Sequence, residues 1–363
     1  MKRLVLLGAG HAHLHVLRDM VRRPPADTRV TLVTPYPQTL YSGMLPGHVA
    51  GHYRLEQCAI PIAPLLAGSA VQVVADAALG IDAAARRVRL AQGAPVGYDV
   101  LSIDTGAAMS RAAIAGSAAH GIFLRPIERF PALWQALRQR AEEHFLCVVV
   151  IGGGAGGFEI ALAARHALGE RGHVSIVGGG VPLLAGYGAA ARARALATLR
   201  RRGVLLFDEA CTEVRATQVV LASGMRLACD APLLAIGASA PEWLAASGLE
   251  LDAKGFIATR PTLQSVSHAE VFAAGDVAAR ADAPRPRSGV YAVRAGPPLA
   301  RNLRRYLADA PLRPYTPQAR SLNLLSCGRR EVIASWGPLA LQARWAWWWK
   351  DRIDRGFVAR YQR

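Results

Sequence analysis

The chain has 363 residues, of which 52% are hydrophobic and 19% are charged, so it can bury packed cores and is not a disordered protein. Its formal net charge is +17, but nearly all the basic residues are arginine, since lysine occurs only at Lys2, Lys254 and Lys350. No aromatic-rich basic repeat accompanies this charge, and we therefore predict no nucleic-acid partner.

The first predicted unit combines strands, a glycine turn and a helix within about 30 residues, as dinucleotide-binding units do. Its predicted elements are a strand over 4–7, a helix over 13–22 and a strand over 29–33. Gly8 and Gly10 form the turn after the first strand. Two positions depart from the usual pattern. His13 stands where a third glycine is expected, and Thr34 stands where an acid normally binds the ribose.

The second predicted unit repeats this order about 145 residues later. Its elements are a strand over 147–151, a helix over 159–168 and a strand over 173–177. The turn carries glycines in G-x-G-x-x-G register, at Gly152, Gly154 and Gly157. Gly178 follows the second strand and offers no side chain to a ribose, so NADH and NADPH are not separated. Arg192 and Arg194 are candidates for a 2′-phosphate, but solvated charges on a helix are the favoured explanation of both residues.

Later segments fit a duplicated α/β plan. Two apolar runs end in glycine, Leu101–Gly106 (LSIDTG) and Leu233–Gly237 (LLAIG), and Val271–Val277 (VFAAGDV) follows them. The sequence therefore predicts an α/β fold with two Rossmann-like nucleotide-binding domains and a small C-terminal region. The predicted bounds are 1–112 with 255–320 for the first domain, 113–254 for the second, and 321–363 for the C-terminal region.

The two glycine turns, LSIDTG and VFAAGDV occur in the order found in the pyridine nucleotide–disulfide oxidoreductases, which the chain resembles over its whole length. That family has the two-domain plan of glutathione reductase, with FAD on the first turn and NAD(P)H on the inserted unit. The resemblance implies FAD contacts at Gly8, Gly10, His11, Ala12, Thr34, Pro35, Pro46, Ala75, Thr105, Gly106, Gly275, Asp276 and Ala292. It implies NAD(P)H contacts at Gly152, Gly154, Ala155, Gly156, Gly157 and Gly237.

Four stretches resemble a narrower group within this family: GAGHAHLHVL, YSGMLPGHVAG, GVYAVRAGPPLARNLR and WWWKDRIDRGF. These resemble FAD/NAD modules fused to selenophosphate synthetase, which are similar to type II NADH dehydrogenases. Glu159 falls where those dehydrogenases carry a glutamate near nicotinamide and flavin, so the resemblance implies a catalytic role in orienting the nicotinamide or moving protons. The alternative is an ordinary acid in a first helical turn. Their quinone-site Ala-Gln pair is replaced here by Gly289-Val290.

The cysteines do not form a redox motif. The five are Cys58, Cys147, Cys211, Cys229 and Cys327. With no CxxC pair, they indicate a reducing, cytoplasmic compartment and no metal site. Gly43 and Met44 stand where disulfide reductases and their single-cysteine relatives place thiols. We therefore predict electron transfer from the flavin to a non-thiol acceptor. A quinone is the favoured acceptor. A ferredoxin-type carrier and a low-turnover redox sensor linked to selenium metabolism are the alternatives.

The tail from residue 342 to 363 predicts an amphipathic helix. Its apolar stripe recurs every four residues, at Trp345, Trp349, Ile353 and Phe357. Tryptophans beside Arg and Lys are typical of a helix at a lipid interface, which would hold the protein on the inner face of the cell membrane. A stripe of this kind also packs on the protein's own surface or on a second copy in a homodimer.

Overall fold

The computed structural model describes residues 1–362, which alternate between strands and helices. The strands are β1 Lys2–Leu7, β2 Thr28–Val33, β3 Gln38–Leu40, β4 Ala59–Pro61, β5 Gln72–Val74, β6 Ala78–Asp82, β7 Arg87–Leu90, β8 Val96–Gly97, β9 Val100–Ile103, β10 Ile122–Phe123, β11 Leu146–Ile151, β12 Gly172–Val177, β13 Leu205–Phe207, β14 Cys211–Val214, β15 Gln218–Leu221, β16 Arg226–Ala228, β17 Ala231–Leu234, β18 Ile257–Ala258, β19 Val271–Ala273, β20 Ala278–Ala279, β21 Asn323–Cys327, β22 Arg329–Trp336 and β23 Leu339–Ala343. The α-helices are α1 His11–Arg22, α2 Leu45–Val49, α3 Leu55–Cys58, α4 Ile62–Leu65, α5 Ser117–His120, α6 Phe130–Glu143, α7 Ala155–Leu168, α8 Ala189–Arg202, α9 Gly289–Leu307 and α10 Trp345–Ala359. Short 3₁₀ helices cover Ser42–Met44, Gly169–Arg171, Glu242–Ala246 and Gly275–Val277.

A five-stranded parallel sheet in the order β19-β9-β1-β2-β5 forms the first unit. The central strand β1 is buried from Leu4 to Leu7, which explains why its sequence is a continuous apolar run. Helices α1 and α9 pack against each other. Gly296 permits this approach, because a Cβ there would lie only 2.8 Å from the Cβ of His15. The chain returns to this sheet through β19, after the second unit is complete.

A second five-stranded parallel sheet has the order β10-β17-β11-β12-β13. In each unit a three-stranded antiparallel excursion, β6-β7-β8 or β14-β15-β16, precedes the strand that returns to the parallel sheet. The predicted α/β fold with two Rossmann-like units is thereby confirmed. The predicted domain bounds stay a prediction.

Element ends differ from the predicted ones where the chain leaves a sheet. The apolar runs that end at Gly106 and Gly237 stop pairing earlier, at Ile103 and Leu234, and β19 gives way to a 3₁₀ turn after Ala273. These residues lie at the carboxyl edges of the sheets, where the backbone turns away from its neighbouring strand. The strand ends therefore become loop segments that can face a ligand.

The C-terminal region connects the two units. Its antiparallel sheet, β21-β22-β23, packs beneath α10. Val332 and Trp347 join the core of the first unit, whereas Leu325 and Ile333 join the core of the second. The region therefore holds both units in contact. Among residues 1–362, no helix has the length and apolar character needed to cross a membrane.

Candidate active site

A cavity of about 550 Å³ lies between the two units, which is a size suited to a large cofactor. The predicted residues that line it are Gly8, Gly10, His11, Thr34, Pro35, Pro46, Thr105, Gly106, Gly156, Glu159, Asp276 and Ala292. The predicted residues outside its lining are Ala12, Ala75, Gly152, Gly154, Ala155, Gly157, Gly237 and Gly275. Contact between any of these residues and a bound cofactor stays a prediction.

A buried acid, Asp104, closes the first glycine turn. Its Oδ2 accepts the backbone N–H groups of Ala12 (2.8 Å) and His13 (2.9 Å) in the first turn of α1. A Cβ at Gly10 would lie 2.5 Å from the same carboxyl group, so glycine is required there. Burial raises the pKa of Asp104 to about 7, and the two N–H bonds offset part of that rise. The Ala12 amide is consequently occupied and is not free for a pyrophosphate.

His13, at the third glycine position, is a buried link between the turn and β9. Its Nδ1 lies 2.6 Å from the carbonyl oxygen of Gly8, and its Nε2 lies 2.8 Å from Oγ of Ser102. A carbonyl can only accept, so Nδ1 carries the proton and Nε2 accepts from the Ser102 hydroxyl. Burial lowers the pKa of His13 to about 4 and keeps the ring neutral. The departure from the glycine pattern is therefore a satisfied structural contact.

The second glycine turn has the close packing that its motif predicts. A Cβ at Gly157 would lie 1.9 Å from the carbonyl oxygen of Gly152, so helix and strand approach as only glycine allows. Within residues 1–362 no side chain accepts the first backbone N–H groups of α7, whereas Asp104 accepts two of them in α1. Its first backbone N–H groups are consequently available to an anion. This end of α7 fits the pyrophosphate of a nicotinamide coenzyme.

Several cavity groups fit a flavin dinucleotide. Nε2 of His11 is buried without a hydrogen-bond partner within residues 1–362, and the ring lines the cavity. Burial lowers the pKa of His11 to about 4, so the ring can offer a neutral donor or acceptor. Arg125 pairs with Asp276 at 2.8 Å, which offsets the acid's charge where phosphates would lie. Arg287 also lines the cavity, with its guanidinium carbon 3.3 Å from the centre of the Phe256 ring.

Glu159 lies on α7 at the cavity wall and connects to the C-terminal region. Its Oε1 accepts the backbone N–H of Ser326 at 2.8 Å. Burial raises the pKa of Glu159, and the nearby Lys350 ammonium offsets part of that rise. Lys350 itself donates to Oδ2 of Asp354 (2.5 Å) and to the carbonyl oxygen of Gly43 (2.7 Å). A set of charged groups, buried at Lys350 and Asp354, therefore extends from Glu159 at the cavity wall into α10.

Helix α10 turns its polar pair inward and most of its aromatic residues outward. Lys350 and Asp354 are buried, with side chains 10% and 6% exposed. Trp348 is 59% exposed. The predicted apolar stripe is exposed at three positions, Trp345, Trp349 and Ile353. At Phe357 the stripe is buried in the core of the first unit. Most of the stripe is thus not covered by the protein's own surface.

The cavity lining contains no thiol among the described residues. Cys58, the cysteine nearest in sequence to the first turn, is buried in the core of the first unit. Burial raises the pKa of its thiol to about 12, so it is protonated at neutral pH. Among the described residues the cavity lining therefore offers no thiol to a bound flavin, and electron transfer to a non-thiol acceptor stays a prediction.

Three residues at this site were not identified from the sequence. Asp104 lies within the LSIDTG segment, and its position directly after the strand β9 is the one signal that the sequence offers. Arg125 belongs to no motif, and it donates a hydrogen bond to Asp276, which lies 151 residues further along the chain. Lys350 was grouped with the basic residues of the tail helix, whereas its charge points inward.

Two parallel sheets, each with a glycine turn after its central strand, and one shared cavity define a flavin- and nicotinamide-dependent oxidoreductase. The chain belongs to the pyridine nucleotide-disulphide oxidoreductase family, whose model matches residues 2–296. Members of this family use FAD and NAD(P)H. The predicted enzyme class and both predicted cofactors are thereby confirmed.

Two curated relatives and one solved structure extend this comparison. The chain is 26% identical to the demethylphylloquinone reductase NdbB of Synechocystis sp., over 94% of this chain and 90% of the relative. It is 36% identical over 217 residues to the biphenyl dioxygenase system ferredoxin–NAD(+) reductase component of Paraburkholderia xenovorans. That match spans 55% of this chain and 48% of the relative. NDH2 from Plasmodium falciparum, 13% identical, superposes with a TM-score of 0.81 over 98% of this chain and 97% of its own.

The predicted likeness to type II NADH dehydrogenases is therefore supported at the level of the fold. The likeness to modules fused to selenophosphate synthetase stays a prediction.

Proposed function

We propose that the chain passes electrons from NAD(P)H through FAD to a quinone at a membrane surface. Residues 1–112 and 255–320 hold FAD in this proposal, and residues 113–254 hold NAD(P)H. The observation that carries it is the orientation of α10, which presents Lys350 and Asp354 to the interior and exposes Trp348. Because the Lys350 ammonium offsets part of the rise in the pKa of Glu159 at the cavity wall, this helix links the site electrostatically to an apolar outer surface.

This outer surface, here called the Trp patch, has the composition of a lipid-interface segment. It comprises the exposed apolar residues of α10, which are Trp345, Trp348, Trp349 and Ile353, and the β22–β23 hairpin that precedes α10 in the chain also exposes Trp336, Leu339 and Leu341. Exposed arginines stand beside it in the chain, at Arg329, Arg330, Arg344 and Arg352. Tryptophan at the headgroup level and arginine against anionic lipid favour peripheral binding. The proposed location is the cytoplasmic face of the cell membrane, where a quinone is available.

The residues of this chain supply binding, positioning and proton handling. A bound FAD would supply the redox chemistry, which is hydride uptake from the nicotinamide and electron release to the acceptor. Oε1 of Glu159 is held by the Ser326 N–H, so a proton on this carboxyl resides on Oε2. Burial raises the pKa of Glu159, which favours that protonated form. Glu159 can therefore hold a proton at the cavity wall, and the Lys350 ammonium offsets part of its charge after ionisation.

Anaerobic mixing tests the electron path. The FAD-loaded protein is mixed with NADH and then with a short-chain quinone, and the flavin absorbance is followed. Bleaching by NADH and rapid recovery with quinone support the proposal. Bleaching without recovery contradicts the quinone assignment and favours a protein carrier or a sensing role. A protein that takes up no FAD contradicts the whole proposal.

Vesicle binding tests the membrane part separately. Flotation with vesicles of phosphatidylglycerol and phosphatidylcholine should recover the parent protein, and Trp348→Ser with Trp349→Ser should reduce recovery. Leu205→Ser is the matched control, because Leu205 is 62% exposed but lies on the edge of the second sheet. Equal recovery of parent and Trp variant contradicts the lipid assignment and leaves a second copy of the chain as the partner of the Trp patch.

A ferredoxin-type acceptor is the second candidate. It is favoured by the 36% identity to a ferredoxin–NAD(+) reductase component and by the net charge of +17, which suits an acidic carrier. Electron transfer to such a carrier should fall steeply as ionic strength rises. Quinone reduction should respond to lipid and only weakly to salt, so one salt titration with each acceptor separates the two candidates.

A further inference from the structure

The carboxyl edges of β12 and β13 bring Asp208 beside Gly178, the position that lacks the usual ribose-binding acid. The two strands are parallel, with Val177 paired to Phe207. The pairing continues one step beyond them, because the N–H of Gly178 donates to the Phe207 carbonyl at 2.8 Å. Asp208 is therefore level with Gly178, and neighbouring residues at the same level of a parallel pair project to the same face.

The Asp208 carboxyl occupies the space that a side chain at residue 178 would enter. A Cβ built on Gly178 would lie 3.3 Å from Oδ1 of Asp208. The Gly178 carbonyl also borders the second glycine turn, since a Cβ on Gly153 would lie 3.2 Å from that oxygen. A pyrophosphate at the N-terminus of α7 would place the adjoining ribose at this edge.

Asp208 is free to accept hydrogen bonds, whereas its neighbour is not. Asp208 is exposed, and no hydrogen bond or ion pair to it occurs in the described part of the chain. By contrast, Oε2 of Glu209 already accepts the backbone N–H of Ser223 at 2.9 Å. Of these two consecutive acids, only Asp208 retains both oxygens for a ligand.

We infer that Asp208 is the acceptor for the adenosine-ribose hydroxyls of the coenzyme and that it makes the chain selective for NADH over NADPH. The inference rests on the proposed binding of NAD(P)H by residues 113–254, but not on the identity of the electron acceptor. A ribose diol donates two hydrogen bonds to a carboxylate, whereas a 2′-phosphate replaces one donor by negative charge and is repelled. The missing acid of β12 is thus supplied from the next strand.

Calorimetric titration with NAD⁺ and NADP⁺ tests the inference without turnover. The parent FAD-loaded protein should bind NAD⁺ more tightly than NADP⁺. Asp208→Asn should weaken NAD⁺ binding by about 10-fold to 100-fold, the range for a lost bond to a charged group, and should not weaken NADP⁺ binding. Glu209→Gln is the matched control and should leave the ratio of the two affinities unchanged. Equal effects of Asp208→Asn on both coenzymes overturn the inference.

A transfer of the carboxylate between strands gives a second, independent test. The double variant Gly178→Asp with Asp208→Gly moves the acid to the usual position and should recover NAD⁺ affinity to within about 3-fold of the parent. Binding no better than that of Asp208→Asn overturns the inference. So does a parent preference for NADP⁺, which would point to Arg192 and Arg194 instead. Failure of both coenzymes to bind or to bleach the flavin would instead remove the proposed function.

Discussion

Replacement of Lys350 by methionine should leave a buried carboxyl without its cation. The Lys350 ammonium lies 2.5 Å from Oδ2 of Asp354 and 2.7 Å from the Gly43 carbonyl oxygen, and the two charged side chains are 10% and 6% exposed. Removing one partner of such a buried pair typically lowers the free energy of unfolding by about 3–5 kcal/mol. We expect a loss of this size for Lys350→Met at neutral pH.

The loss should depend on pH in a defined direction. Burial raises the pKa of Asp354 even with Lys350 present, and removal of the cation raises it further. A carboxyl with a higher pKa in the folded state takes up a proton on folding, so its contribution to stability falls as pH rises. The slope reaches about 1.4 kcal/mol per pH unit between the unfolded-state pKa of about 4 and the raised folded-state pKa. Lys350→Met should therefore be closest to the parent in acid.

Urea unfolding of the FAD-loaded protein at several pH values measures this effect. The matched control is Lys350→Met with Asp354→Leu, which removes both charges and should recover most of the stability while abolishing the added pH slope. A single variant with the parent's pH dependence would refute the conclusion that the pair is desolvated. A double variant no more stable than the single one would refute it as well.

The two glycine turns give three further predictions. His13→Ala removes the buried bonds to Gly8 and Ser102 and should lower the free energy of unfolding by about 2–4 kcal/mol. In the same urea assay His13→Asn should lose less, and equal losses would contradict the bond to Gly8. Burial raises the pKa of Asp104 to about 7, so FAD affinity in fluorescence titrations should fall as pH rises through neutrality and this carboxyl ionises near the phosphates. Asp104→Asn should abolish that fall, and an unchanged pH profile would exclude Asp104 from it. In Gly157→Ala the new Cβ would lie 1.9 Å from the carbonyl oxygen of Gly152, so the helix and the turn must move apart. This variant should slow flavin bleaching by NADH at least about 100-fold while FAD stays bound. Normal bleaching would contradict coenzyme binding at this turn.

The local features of the site were predictable because they are encoded within a few residues. The turn at Gly152–Gly157 follows a short apolar strand and begins a helix, which is a pattern that short-range geometry fixes. The same holds for the turn at Gly8 and Gly10. Each motif therefore predicts which edge of its sheet carries the glycine turn. The residues at which the strands end could be assigned only from the strand pairing in the structure.

The long-range contacts could not be predicted because they depend on how distant segments meet. Asp104 contacts α1 from 92 residues away, and Lys350 reaches Gly43 across 307 residues. Periodicity correctly indicated an amphipathic tail helix, but it gave no information on which face would be buried. The helix in fact buries two charged residues, which an apolar-inside rule excludes unless the charges are paired.

The orientation of α10 has an energetic consequence for the enzyme. This single helix of 15 residues carries Trp348 outside and the Lys350–Asp354 pair inside, so a displacement at one face also changes the other. Reciprocity of binding free energies then applies. If binding at the Trp patch changes the affinity of the cavity for its cofactor by some factor, occupancy of the cavity changes the affinity of the Trp patch by the same factor.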